Sequence, residues 1–179
     1  MGGSSRQVLA GQAILICGGE PEAIAACEDV FTVCVRQWFH VGPCGPGARM
    51  KLVLNLVLGL NRAVLAEGLS YAAASGVDPA AALEILKAGP AYSRVMDTKG
   101  RKMLDGDFSV EARLSQHLKD VRPILYTGAR SGAALPLSTV HRRLLEDAEA
   151  AGFGAADNSA VIRAFTKDKP ACPTPAGSI

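Results

Sequence analysis

Lys51 and Asn55 stand four residues apart in a stretch, Ala48 to Ser75, that contains no proline. Positions i and i+4 share one face of a helix, with Cβ atoms about 5–6 Å apart. Arg62 returns to that face further along. An amine and an amide on an apolar helix need partners, because unpaired buried polar groups are costly. A bound molecule with a hydroxyl and a carboxylate would satisfy both. Burial also disfavours the ammonium form and brings a lysine toward neutrality, where it can exchange a proton with a hydroxyl. The same spacing allows a plainer reading, with Lys51 near solvent in the first helical turn and Asn55 bonded to a neighbouring backbone. Lys119-Asp120 is less specific, since adjacent opposite charges at the edge of a helical stripe are usually solvated. His40, His117 and His141 have no metal-ligand spacing. No G-x-S-x-G elbow, P-loop or G-x-G-x-x-G occurs.

The elements that must carry these residues can be read from periodicity and turn signals. Ala13–Cys17 is a short apolar run stopped by Gly18-Gly19, which predicts a buried strand. A helix should follow from Pro21, with Ile24, Cys27, Phe31 and Cys34 on one face. Trp38–Val41 reads as a second strand, closed by the turn-forming run Gly42–Gly47. From Ala48 to about Ser75 a single long helix is expected, apolar on nearly every side in its first half and hence central in a bundle. Asp78-Pro79 should cap and open the next helix. Ala91–Asp107 is polar and reads as irregular or weakly helical, and its basic cluster Lys99, Arg101 and Lys102 reads as a solvated connection.

A further helix is expected from about Val110 to Arg130, burying Leu114, Leu118, Val121 and Leu125. Another should begin at Pro136 with Leu137, Val140, Leu144 and Ala148 inward, and a last short one near Asp157 or Asn158. The tail from Thr166 is rich in proline and is expected to be mobile. The expectation is thus a mainly α protein, an all-helical bundle preceded by a short α/β remnant, with divisions at 1–44, 45–166 and 167–179.

Composition agrees with a helical core. The 179 residues are 49% hydrophobic but only 5% aromatic, which suits closely packed Ala- and Leu-rich helices. Nineteen basic and seventeen acidic residues leave a net charge of +2, without the broad positive field that a nucleic-acid partner requires. The apolar segment from Leu52 to Ala74 holds Asn55, Asn61, Arg62 and Glu67, which argues against a membrane span. Five cysteines with no C-x-x-C argue against a disulfide framework or a zinc site; Cys17, Cys27 and Cys34 read as small buried hydrophobes in a reducing, cytoplasmic setting.

The run from His40 to Asn55 resembles the H-x-G-x-x-G-x-G-x-x-x-K-x-x-x-N signature of the β-hydroxyacid dehydrogenases, a family that includes 3-hydroxyisobutyrate dehydrogenase and tartronate semialdehyde reductase. Gly11 to Gly19 resembles its G-x-L-x-I-x-x-G-G strand, Leu104–Phe108 its L-x-G-D-F segment, and Leu118-Lys119-Asp120 its K-D helix. Pro136-Leu137 and Gly154–Val161 complete the order. The resemblance implies a bundle like the C-terminal domain of 6-phosphogluconate dehydrogenase, behind the end of a dinucleotide-binding α/β domain. It implies Lys51 as the proton-transfer residue, Asn55 with Gly3 and Ser4 as substrate contacts, and Lys119 as a cofactor contact. NAD or NADP would be the cofactor, a small β-hydroxy acid or its semialdehyde the substrate, and a homodimer or homotetramer the assembly.

Three departures from the family pattern are evident. No G-x-G-x-x-G domain precedes the matched segment, so this chain alone is expected to be inactive. Met1 or Gly2 stands where the family's S-G-G has Ser, and Ala112 stands where an aromatic often precedes the K-D lysine. A non-enzymatic helical dimerisation module derived from the family is the alternative reading.

Overall fold

The structure is a computed structural model that describes residues 1–3 and 5–166. Ser4 and the expected tail, 167–179, lie outside the described residues. Contacts divide the chain into two compact units, Met1–Val57 and the remainder from Leu58.

In the first unit, a short helix α1 (Ser5–Leu9) precedes β1 (Ile14–Cys17). Two helices, α2 (Pro21–Ala25) and α3 (Glu28–Cys34), then lead to β2 (Gln37–His40). The strands pair in parallel, from Ile14 opposite Gln37 to Cys17 opposite His40. On the other side of β1, Gly2 and Ile14 exchange both backbone hydrogen bonds, at 2.8 and 2.9 Å. The single helix expected after Pro21 is broken at Ala26-Cys27, where Cys27 leaves helical geometry (φ −106°, ψ 0°). Cys27 and Cys34 are exposed, contrary to the expectation of burial. Two strands offer too little sheet to cover a helix face: the buried apolar residues of this unit are Ala13, Cys17 and Val35.

The long helix α4 (Pro46–Ala74) carries the chain from the first unit into the second. Its burial reverses the expectation for its first half. Val53, Val57 and Leu58 are 44–49% exposed, whereas Arg62, Ala63, Leu65, Ala66, Leu69 and Ala72 in the second half are buried. An all-round apolar pattern says that a helix needs covering; it does not say by what. By length and composition α4 could cross a membrane. Lys51, Arg62 and Glu67 along it, and the packing of its second half into a core, mark it instead as a bundle helix.

The second unit continues with α5 (Pro79–Ala88), whose N-cap Asp78 accepts hydrogen bonds from the Ala80 and Ala81 amides. A π-helical turn (Met96–Gly100) runs into α6 (Arg101–Asp105). Then come α7 (Leu114–Ser131), α8 (Pro136–Ala148), a second π turn (Glu149–Phe153) and a 3₁₀ helix (Asn158–Ala164). One core joins Leu65 and Leu69 of α4 to Leu83, Met96, Met103, Leu114, Leu118, Val121, Leu145 and Val161.

Three local expectations are corrected here. α7 begins at Leu114 and not Val110, because the preceding residues pair with the 3₁₀ segment: Asn158 N–H donates to Ala112 O (2.8 Å) and Leu114 N–H to Ala156 O (2.9 Å). α8 buries Ser138, His141, Leu145 and Ala148, leaving Leu137 67% and Val140 53% exposed. Lys99 is buried and not solvated.

Candidate active site

Backbone-to-backbone contact at glycines sets the start of α4. A Cβ on Gly18 would stand 2.6 Å from the Pro43 carbonyl oxygen, and one on Gly47 3.0 Å from the Gly18 nitrogen. Only glycine allows the end of β1 to lie this close to the first turn of the helix. His40 secures the same loop, its Nε2 within hydrogen-bond distance of the Gly19 and Gly42 carbonyls (2.9 and 3.0 Å). Its place in the signature is explained by this staple.

On the helix so fixed, Lys51 and Asn55 are both half-buried. Neither side chain has a hydrogen-bond or ion-pair partner among the described residues. Both groups are therefore free to engage a bound molecule. Gly2 lies against Leu54, where a Cβ would meet Leu54 Cδ2 at 2.8 Å, so the Gly2-Gly3 segment reaches the turn that carries Asn55. Gly3 has φ 145°, a conformation that a side chain would resist. In the second unit, Lys119 is exposed on α7, and the neighbouring Asp120 accepts from Gln116 at 3.4 Å.

Sequence reasoning missed a buried ion cluster. Lys99 Nζ donates to both oxygens of Asp157 (3.0 Å each) and to Glu111 (2.9 Å). Asp157 also accepts from the amides of Ser159, Glu111 and Ala112, each at 3.0 Å. Burial alone would raise the Asp157 carboxyl, but the Ser159 and Ala112 amides, Lys99 and the Glu111 amide together hold it well below the usual carboxylate range. With its lone pairs occupied, this carboxylate works as a structural tie between the 3₁₀ helix and residues 111–112. The available signal was Asp157 before a helix start; its partner Lys99, 58 positions away, carried none.

A second missed cluster joins α4, α7 and α8. His117 and His141 pack with ring centroids 5.2 Å apart over Gly59, and Arg62 lies one turn further along α4. All three side chains are at least nine-tenths buried. Burial first, then Arg62 and His141, lowers His117 from 6.5 to about 2; burial and then Arg62 lowers His141 from 6.5 to about 4. Both imidazoles thus stay neutral in the fold, while the unfolded chain takes up their protons below its ordinary pKa. Stability from His141 is complete above pH 6.5 and is lost as pH falls toward 4. In a melting series over that window His141 should account for a decline on the order of 3 kcal/mol and His117 for as much again, so His141→Gln should about halve the acid loss. An acid limb unchanged in that variant would rule out the assignment.

A half-buried lysine and asparagine, unengaged among the described residues, thus stand one turn apart on a helix opened by a glycine-rich turn. The fold is shared with a solved structure: 3-hydroxyisobutyrate dehydrogenase from Salmonella typhimurium superposes with a TM-score of 0.83 at 21% identity, over 90% of this chain and 57% of that one. Residues 45–165 match the family model described as NAD-binding of NADP-dependent 3-hydroxyisobutyrate dehydrogenase, and the chain belongs to that family. Curated relatives include 2-(hydroxymethyl)glutarate dehydrogenase of Eubacterium barkeri, 30% identical over 91% of this chain and 54% of its own length. The cytokine-like nuclear factor N-PAC of Aedes aegypti is 29% identical over 89% of this chain and 28% of its own length. The chain thus spans about half the length of the dehydrogenase relative and less of the nuclear factor.

Proposed function

We propose that this chain is the proton-transfer and helical part of an NAD(P)-dependent oxidoreductase that interconverts a small β-hydroxy acid and its carbonyl partner. The observation that carries the reading is the unengaged Lys51–Asn55 pair on a helix whose start is fixed by Gly18, Gly47 and His40. NAD or NADP, when bound, accepts or supplies the hydride. Lys51 takes the hydroxyl proton in oxidation and returns it in reduction. Asn55 orients the substrate with the backbone of Gly3, and with Ser4 beside it; Lys119 serves the cofactor. The divisions 1–44 and 45–166 correspond, in this reading, to the end of the dinucleotide-binding domain and the substrate and dimerisation domain.

A second reading is favoured by one observation: Val53, Val57, Leu58 and Val64 leave α4 with exposed apolar positions that a homodimer or homotetramer would cover. A relative named as a nuclear factor makes a non-enzymatic dimerisation module the alternative to an enzyme. The free thiols of Cys17, Cys27, Cys34 and Cys44 suit a reducing compartment such as the cytoplasm.

The deciding experiment is paired. The 179-residue chain should leave NADH and NADPH fluorescence unchanged at micromolar concentration. The chain joined to a complete dinucleotide-binding half should bind one of them, and should reduce the matching NAD⁺ or NADP⁺ while oxidising a β-hydroxy acid. Tight nucleotide binding by the isolated chain, or no turnover across a panel of such acids by the joined protein, would sink the enzymatic reading.

A further inference from the structure

β1 and β2 end side by side, and the His40 ring bridges the chain just past both ends. Cys17 pairs with His40 at the last register position. Past it, Val41 N–H donates to Cys17 O (2.9 Å) and Gly19 N–H to Gly42 O (3.0 Å). There the ladder stops, because Gly42 takes the left-handed region (φ 105°) and turns the chain toward α4. Gly19 O receives no backbone N–H among the described residues. His40 supplies the missing donor: its Nε2 lies 2.9 Å from Gly19 O and 3.0 Å from Gly42 O. Both partners can only accept, so the proton stands on Nε2 and a single N–H serves two carbonyls. These partners also fix the tautomer of the ring.

The loop tied in this way is the one that places Lys51. A Cβ on Gly18 would come within 2.6 Å of Pro43 O, and Gly47 packs on the Gly18 nitrogen. Arg49 N–H donates to Gly45 O (3.3 Å), which closes the first turn of α4 two residues before Lys51. All of these residues belong to the first unit. We propose that His40 is a positioning residue for proton transfer at Lys51: its one N–H, shared between Gly19 and Gly42, fixes the loop from which the first turn of α4 rises. This rests on the reading of Lys51 as the proton-transfer group. His40 acts through that lysine and not on the substrate. The effect is transmitted as distance, since displacing a reacting group by about 1 Å can cost about 10²-fold in rate.

In the chain joined to a complete dinucleotide-binding half, His40→Ala should lower kcat about 10²-fold and leave KM for the nucleotide within about twofold of the parent. His40→Gln, whose amide nitrogen carries two N–H donors at a similar reach, should recover most of that loss. In a Lys51→Ala background, His40→Ala should cost less than about threefold, because the group it positions is gone. Equal losses with and without Lys51 would overturn the proposal, as would a Gln variant no better than Ala. A second measurement uses the 179-residue chain itself. A two-bond ¹H–¹⁵N spectrum at alkaline pH should show His40 protonated at Nε2, and the Lys51 ε-methylene signals should move in His40→Ala and return in His40→Gln. Unmoved Lys51 signals, or a ring protonated at Nδ1, would also overturn it. Signals that move and return, in a joined protein that turns over no hydroxy acid, would support the tie between His40 and Lys51 and refute the oxidoreductase reading instead.

Discussion

Lys51→Ala, made in the chain joined to a complete dinucleotide-binding half, is expected to lower kcat for the proposed hydroxy-acid oxidation about 10³-fold, within the range found for a positioned acid–base group. That factor corresponds to about 4 kcal/mol of lost transition-state stabilisation. The nicotinamide would still accept hydride, but the hydroxyl proton would have to leave to water. Lys51→Arg should do little better, because a guanidinium keeps the charge and cannot give up its proton near neutral pH. The diagnostic is chemical rescue, which a merely structural role for Lys51 would not show. An exogenous amine should restore part of the rate in Lys51→Ala alone. Turnover within a few-fold of the parent would remove Lys51 from the mechanism and favour the interaction-module reading.

Asp157→Asn is expected to destabilise the second unit by about 3–5 kcal/mol, the usual cost of removing one partner from a buried pair. The substitution changes little in volume, yet it leaves the Lys99 ammonium, 9% exposed at its side chain, facing a neutral amide. It also weakens the amide contacts from Ser159, Glu111 and Ala112. Denaturant unfolding would read the change as a shift in midpoint at constant slope. Because the Asp157 carboxyl is held below its ordinary value of 3.8, its contribution is fully present above that pH and is lost as pH falls further. The variant should therefore lose the parent's acid dependence in the range below pH 4. Lys99→Met tests the other partner, and combining both changes should cost less than the sum of the two. Additive losses would mean that the ion pair is not the tie described here.

Much of the fold was legible because its signals are local. The stop at Gly18-Gly19, the cap at Asp78-Pro79, the stripe Leu114–Leu118–Val121 and the helix start after Asp157 each depend on residues within a turn or two of one another. The Lys51–Asn55 pair was legible for the same reason. Four residues of helix place them on one face whatever surrounds it.

The misreadings share the opposite character. α8 was turned the wrong way because Leu137 and Val140 are apolar and His141 is not, yet His141 is the residue that meets His117 on α7. α7 lost its expected first turn because Asp157 takes the amides of Glu111 and Ala112 out of helical pairing. Lys99 looked like part of a solvated basic run, and its carboxylate lies on an element far along the chain.

By itself, the sequence determined the helical character, the order of the elements, the family motifs and the lysine on which a proton-transfer role rests, since helix period, capping and glycine geometry act over a few residues. Only the tertiary structure decided that Lys51 and Asn55 have no partner among the described residues, that Val53, Val57 and Leu58 on α4 stay exposed, and that a Lys99–Asp157 ion cluster and an Arg62–His117–His141 cluster are buried in the second unit. Those outcomes depend on which distant side chains supply donors, acceptors and apolar surface, and packing alone brings them within reach.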